Sequence, residues 1–270
     1  MEGRNDKKVI FAGHLEEHND LKRWERDAPL DMDMSDNKEA INKIVDAITQ
    51  QIKKSNRKAV LFISSSKLRS QQTSELIAKE LKHSLGDDIK FRFNIESDLD
   101  GNDQGQFIFP DEYVAGQVFE GLKLAGKIYL NEFSENKNLN YRFGDPFLLE
   151  NGEYKYPELL KFFSKSGENY KEPLIRIFNS VLNMSRKAEK LEKNTEIVIV
   201  AHGLTYHILQ GMTIVADDVL KEKSTFQKGE LPFKIWDEYL KRTVELKDTA
   251  YGFIDISNLG NPELIKILQE

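Results

Sequence analysis

Three apolar runs in this chain each lead directly into a side chain that can do chemistry. VIFAGH ends at His14, LFISSSKLRS reaches Arg69, and IVIVAHG passes through His202. Such runs are typical of buried strands, and in an open parallel sheet the residues after the strands share the crevice beyond their carboxyl ends. We therefore predict one site holding two imidazoles and a guanidinium. The chain has no cysteine, so histidine, arginine and carboxylate groups must supply the chemistry.

Strands and helices alternate along the chain in the way that builds an α/β domain with a mostly parallel, largely covered sheet. Strands are predicted at 9–12, 59–63, 91–95, 197–201 and 252–256. Apolar residues at helical spacing follow Asp36 and Glu39, which have the spacing of a capping box. Further helices are predicted over 68–85, ending at Gly86, and from about Pro173 onward.

A less regular stretch at about 102–170 separates the two halves of this pattern, because glycines interrupt its apolar spacing. We interpret it as an inserted cap that selects the substrate, within a single domain spanning residues 1–270. Nothing in the stretch identifies that substrate.

The composition limits the partners and the compartment. A net charge of −6 argues against general affinity for nucleic acid or for an anionic membrane surface, since both need a surplus of Lys and Arg. No leader-like or membrane-spanning apolar run is found, so we expect a cytoplasmic protein. An anionic small-molecule substrate must then meet a local basic pocket. The oligomeric state is not readable, and a homodimer stays an open option.

Several blocks resemble motifs of the histidine phosphatase (phosphoglycerate mutase-like) superfamily. SSSKLRSQQTSELIA is similar to the family's Ser-x-x-x-Arg followed by a Gln-Thr helix start, here Ser65, Arg69, Gln72 and Thr73. IVIVAHGLTYHIL resembles its second histidine motif, and VIFAGHLEEHND falls where the family has its nucleophile. DAPL, at 27–30, is similar to a turn that often follows that nucleophile. The blocks occur in the family's order.

The resemblance implies a three-layer α/β/α sandwich and a phosphatase that works through a phosphohistidine. His14 would attack phosphorus in line and water would hydrolyse the adduct, with no metal or cofactor. Arg69 and His202 would stabilise charge on the phosphoryl oxygens. Ser65 and the backbone at Gly203, at a helix start, would contact the substrate.

The nucleophile motif departs from the family pattern. The family has Arg immediately before the histidine and Gly after it, whereas this chain has Gly13 and Leu15. Losing a hydrogen bond to a charged group costs about 1.5 to 3 kcal/mol, so this departure lowers activity or changes the substrate unless another cation replaces the Arg. Arg23, Arg26 and Arg142 are candidates, and Asn19 lies one residue from the family's phosphate-contacting Asn.

The proton donor for the leaving oxygen is expected in IESDLDGNDQG, after the third strand. Aligning its glycines with the family's places the usual acid at Ser97, so the flanking carboxyl groups compete for the role. We choose Glu96 as the donor and Asp98 as a substrate contact, with Asp98 and Asp100 still open as donors.

Two other functions are compatible with these residues. His14, Glu17 and His18 spell H-x-x-E-H, a zinc-peptidase signature, but this needs a helix where a strand is predicted and gives Arg69 and His202 no role. The missing Arg also allows a non-catalytic module that binds phosphorylated ligands. Between hydrolase and mutase we favour hydrolase, because the residues after His202 do not resemble the mutase continuation.

Overall fold

The computed structural model describes residues 8–13, 15, 30, 35–101, 106–107, 163–165, 168–169, 171–190, 194–222, 235, 251–257 and 259. The chain divides into two compact units, one formed by Met1–Gly101 with Arg176–Glu270 and the other by Asn102–Ile175. The assignment of a substrate-selecting cap within a single domain remains a prediction.

The described elements alternate between strand and helix as the sequence predicts. The strands of the first unit are β1 (Lys8–Gly13), β2 (Ala59–Ser64), β3 (Lys90–Ile95), β6 (Thr195–Ala201) and β7 (Tyr251–Asp255). The helices are α1 (Ser35–Ser55), α2 (Leu68–Leu85), α3 (Glu172–Lys190) and α4 (Gly203–Glu222), with a 3-10 turn at Ser97–Leu99. In the second unit, β4 (Gln106–Phe107) and β5 (Phe163–Lys165) pair antiparallel. None of the described helices is long and apolar enough to cross a bilayer.

The described strands of the first unit form a five-stranded sheet with the order β3-β2-β6-β1-β7. β1 and β2 both pair parallel with β6, and β3 pairs parallel with β2. β7 closes the other edge antiparallel to β1. The predicted mostly parallel sheet is therefore confirmed, and the register sets the ends of β1, β2 and β6 beside one another.

Helices cover the sheet on both faces, which confirms the three-layer α/β/α architecture. On one face, alternate residues of the central strands join apolar residues of α1 and α2 in a single buried cluster, which includes Ile10, Phe62, Val198, Ile44 and Ile77. On the opposite face Phe11 packs against Tyr206 of α4, with ring centroids 5.0 Å apart. Each fully buried side chain of this size stabilises the fold by about 1.5 to 3 kcal/mol relative to exposure.

The helix ends agree with the sequence at α2 and differ at α1. Gly86 follows α2 with φ 80° and donates its N–H to Lys82 O, as expected of a glycine at a helix C-terminus. α1 begins at Ser35, so Asp36 lies one residue inside the helix and not before it. Glu39 instead pairs with Lys43 one turn later, at 2.6 Å.

The expectation of a largely covered sheet holds for the central strands and is wrong for β3. β3 is an edge strand paired with β2, and its Phe93 and Ile95 are 53% and 56% exposed. Phe93 still stacks on Phe62 of β2, with ring centroids 5.3 Å apart. The apolar spacing of the segment predicted a strand but not its place at the edge.

Gly252 of β7 has no room for a side chain. A Cβ atom there would lie 2.1 Å from the Tyr206 hydroxyl oxygen. The tyrosine cannot easily give way, because its ring packs on Phe11 and its hydroxyl accepts a hydrogen bond from Gln210 Nε2 at 2.6 Å. We expect Gly252→Ala to lower the free energy of unfolding by about 1 to 3 kcal/mol, measured by urea denaturation. Gly203→Ala is the matched control, since no atom lies within 4 Å of its Cβ position, and equal losses in both variants would contradict the prediction.

A buried carboxyl group lies at the amino end of β6. Glu196 is fully buried, and Arg57 Nη1 approaches its Oε2 to 2.9 Å. Among the described residues neither oxygen has a well-aligned hydrogen bond to a side chain, so the contact with Arg57 is an ion pair of poor hydrogen-bond geometry. Burial therefore outweighs the attraction of Arg57 and raises the pKa of Glu196 to about 7.

This raised pKa makes stability fall as the pH rises. Between the ordinary value of 4.5 and about 7, the folded state keeps a proton that the unfolded state has lost. The free energy of unfolding then falls by about 1.4 kcal/mol per pH unit over that window. We expect the free energy of unfolding of Glu196→Gln to vary less with pH than that of wild type between pH 5 and 8, and Glu196→Gln to be the more stable protein at pH 8. The measurement is the denaturation midpoint at each pH. The control is Glu39→Gln, because Lys43 lowers the pKa of the exposed Glu39 and this carboxyl group therefore titrates below the pH window tested. A pH dependence in Glu196→Gln as steep as that of wild type would contradict the prediction.

Candidate functional site

The candidate site is built at the carboxyl ends of the parallel strands. Gly13, the last residue of β1, pairs with Ala201, the last residue of β6, and Ser64 at the end of β2 pairs with Val200. On the other side of β2, Ser64 pairs with Ile95. The residues that follow β2, β3 and β6 therefore leave the sheet at one edge, as the sequence predicts for Ser65, Glu96 and His202.

His202 lies between β6 and α4 and is only 6% exposed. Its Nε2 is 3.0 Å from Ser65 Oγ, and its Nδ1 is 3.5 Å from Arg69 Nη2. The histidine and the arginine come from sequence positions 133 residues apart. Two of the three predicted catalytic groups at strand ends are thus brought together, while His14 lies outside the described residues.

Ser65 connects His202 to the interior of the protein. It is fully buried, its N–H donates to Val200 O, and its hydroxyl lies 2.8 Å from Ser70 Oγ. The Ser65 hydroxyl therefore lies within hydrogen-bond distance of both Ser70 Oγ and His202 Nε2, and the tautomer of the imidazole sets which group donates. A direct contact between Ser65 and substrate stays a prediction, and the contact with His202 was not predicted from the sequence.

The first turns of α2 hold the backbone at Leu15 and at Leu30. Thr73 Oγ1 donates to Arg69 O and accepts the buried N–H of Leu15 at 3.1 Å. Gln72 Oε1 accepts the N–H of Leu30 at 2.9 Å. The Gln-Thr pair noted in the sequence therefore fixes the backbone at Leu15, shortly after β1, and at Leu30, the end of DAPL.

Asp100, in the loop after β3, holds the loop after β2. Asp100 accepts the Ser66 N–H at 2.7 Å and the Ser66 hydroxyl at 2.6 Å, and Lys67 Nζ lies 3.6 Å from its Oδ2. Both oxygens of Asp100 are engaged, so its position indicates a structural role. Glu96 and Asp98 are half-buried, and the choice among Glu96, Asp98 and Asp100 as proton donor stays a prediction.

The same loop touches the helix that follows His202. Leu99 O accepts the hydroxyl of Thr205 at 2.9 Å, and a Cβ atom on Gly101 would lie 3.3 Å from Cγ of the His202 ring. Sequence reasoning missed Ser70, Thr205 and Gly101 as neighbours of the site. Only Ser70 had a local signal in the sequence, since it lies five residues after Ser65, in the first turn of α2.

Other predicted site residues fall where no contact can be given. The residues outside the described part of the chain are His14, Glu17, His18, Asn19, Arg23, Arg26 and Arg142. Gly203 is exposed as the first residue of α4, with no atom within 4 Å of its Cβ position.

Within the described ranges, no three potential ligands from His, Asp or Glu are grouped as a metal site.

Comparisons with known proteins give one type of similarity. No family model matches the chain, and no curated protein matches it. Among solved structures it is similar to a mycobacterial glucosyl-3-phosphoglycerate phosphatase in complex with VO3, at 15% identity over 74% of this chain and 78% of the other, with a TM-score of 0.40.

Proposed function

We propose that this protein is a phosphatase that hydrolyses a phosphomonoester through a phosphohistidine on His14. The observation that carries the proposal is the approach of Arg69 and His202, with Nη2 and Nδ1 3.5 Å apart at the carboxyl edge of the sheet. A guanidinium beside an imidazole, with the exposed start of α4 at Gly203 next to it, suits an anionic oxygen.

The neighbours of His14 in the chain support its assignment as nucleophile. Gly13 pairs with Ala201, the residue before His202, and the N–H of Leu15 bonds to Thr73 one turn after Arg69. Both flanking residues are thus tied to the two elements that supply the guanidinium and the second imidazole. The proposal places the His14 ring at the same anion.

The reaction would proceed in two steps. In the first, a neutral imidazole nitrogen of His14 attacks phosphorus, the bond from phosphorus to the ester oxygen breaks, and a carboxylic acid gives that oxygen its proton. In the second, water attacks the phosphohistidine, the carboxylate takes its proton, and the phosphorus–nitrogen bond breaks to release inorganic phosphate. We assign the acid to Glu96 and further substrate contacts to Asn19, Arg23 and Asp98.

Arg69 and His202 would act on the non-bridging oxygens in both steps. The Arg69 guanidinium offers parallel N–H donors to an oxyanion. His202 Nδ1 faces the same space and, once protonated, donates a hydrogen bond to the oxyanion, while Ser65 and Ser70 hold its other nitrogen. Stabilisation therefore comes from donors already in place before the substrate arrives.

The test is phosphate release by the wild-type protein from an aryl phosphate and from a panel of phosphorylated metabolites, with and without a chelator. We expect release of inorganic phosphate that the chelator does not reduce. Absence of release from every compound, with the protein folded by circular dichroism, would contradict the proposal. Phosphate release that the chelator abolishes would contradict the metal-free mechanism, and stoichiometrically bound zinc with chelator-sensitive cleavage of a peptide would favour the metallopeptidase interpretation instead.

A second candidate is a protein that binds phosphate esters without turning them over. The observation that favours it is Gly13 at the end of β1, where related enzymes are expected to have a second arginine. Saturable binding of an aryl phosphate measured by calorimetry, together with no release of phosphate, would establish this function.

A further inference from the structure

We infer that Arg176 is a positioning residue that fixes His202 and the start of α2 at Arg69 by holding the loop between Asp98 and Gly101. The catalytic consequence of this inference rests on the proposed phosphatase function. The structural consequence, the orientation of the His202 ring, does not.

The guanidinium of Arg176 gathers the carbonyl groups of one short loop. Nη1 donates to Asp98 O and to Asp100 O, each at 2.7 Å, and Nη2 donates to Gly101 O at 3.2 Å. Three carbonyl oxygens within four residues thus face one cation. These hydrogen bonds stabilise the backbone conformation at the end of the 3-10 turn at Ser97–Leu99 and just after it. A planar fork of N–H groups can serve all three acceptors, whereas a lysine ammonium lacks that geometry.

The loop held in this way contacts both elements that supply the anion pocket. Asp100 bonds the backbone and hydroxyl of Ser66, three residues before Arg69. On the other side, Gly101 lies against the His202 ring and Leu99 O accepts the Thr205 hydroxyl in the first turn of α4. A shift of the loop would therefore move the guanidinium and the imidazole relative to each other.

The position of Arg176 in the chain gives the clamp a second property. Gly101 is the last residue of the first unit before the chain enters the second, and Arg176 is the first residue of the first unit after the chain returns. The hydrogen bond from Nη2 to Gly101 O joins these two points directly. The orientation of His202 thus depends on the contact between the two residues at which the chain leaves and re-enters the first unit.

Two variants test the inference from opposite sides. Arg176→Lys keeps the charge and removes the fork, and Gly101→Ala leaves Arg176 in place but presses a methyl group against the imidazole. We expect both to shift the ring resonances of His202 in histidine-labelled protein, assigned with His202→Gln. We also expect kcat to fall by about 10- to 100-fold with a smaller change in KM, since displacements on the order of 1 Å cost about that much. Asn179→Ala, an exposed site on the same helix, should change neither.

The ring resonances are read without substrate, so they separate this inference from the proposed function. If wild type releases no phosphate but the resonances shift in both variants, the phosphatase proposal fails and the positioning role stands. If the resonances of folded Arg176→Lys and Gly101→Ala match those of wild type, the positioning role is overturned, whether or not the protein is a phosphatase.

Discussion

His14→Ala abolishes the phosphatase activity that we expect of the wild-type protein. Removing a covalent nucleophile leaves only the binding and charge-stabilising groups, so we expect kcat to fall by about 10⁴-fold or more. The measurement is phosphate release at saturating substrate, with enough enzyme to detect the residual rate. In wild type, rapid quenching during turnover should trap an acid-labile phosphoryl group on the peptide that contains His14, and the variant should trap none.

The matched control is His18→Ala, which alters the next histidine in the same segment. The phosphohistidine mechanism gives His18 no part in the chemistry, so the variant should keep the wild-type rate within about threefold, which corresponds to the roughly 0.5 kcal/mol of a substitution without a specific role. The zinc interpretation needs both histidines and predicts equal loss in the two variants. Equal loss, or a His14→Ala protein that still turns over at the wild-type rate, would contradict the proposed mechanism.

The strands could be predicted because each buried one is a continuous apolar run. The predicted segments at 9–12, 59–63 and 197–201 fall within β1, β2 and β6, whose residues face helices or other buried residues on both sides. β6 begins two residues earlier than predicted, and it includes the charged Glu196. Its pairing with β2 from Ala59 and Thr195 extends it over a residue that the apolar pattern excludes.

The meeting of Arg69 and His202 was also predictable, since parallel strands that share a sheet end at the same edge. The support around them was not. Arg176 contacts Gly101 across 75 residues of chain, and its own helix shows only an amphipathic pattern that any surface helix would show. Such a contact depends on how α3 packs in three dimensions, and no spacing in the sequence specifies it.

The edge position of β3 illustrates the same limit. Its segment, KFRFNI, alternates apolar and polar residues as a half-buried strand does, and the sequence therefore gives the element type. The order of strands in the sheet depends on which strand pairs with β2 on each side. β6 takes one side from far along the chain and β3 keeps the other, so Phe93 and Ile95 remain exposed.

Arg69→Ala should have the second largest effect, with kcat/KM falling by about 10²- to 10³-fold, as found for loss of a single preorganised oxyanion donor. The loss is expected in catalysis rather than folding. The carbonyl of Arg69, not its side chain, accepts the Thr73 hydroxyl that holds Leu15, so this backbone link survives the substitution. Arg69→Lys keeps the charge but lacks the planar fork of N–H donors, so its kcat/KM should lie between those of wild type and Arg69→Ala.

Inorganic phosphate gives an independent reading of the same residue. If Arg69 binds the anion in the ground state as well, phosphate raises the unfolding temperature of wild type and raises that of Arg69→Ala much less, because a ligand stabilises only in proportion to its binding to the folded state. Arg92→Ala is the matched control, an exposed arginine on β3, and should behave as wild type in both measurements. If the kcat/KM of Arg69→Ala stays within about threefold of wild type, the loss is far smaller than that expected for a missing oxyanion donor. The space between Arg69 and His202 would then not be the site of the reaction.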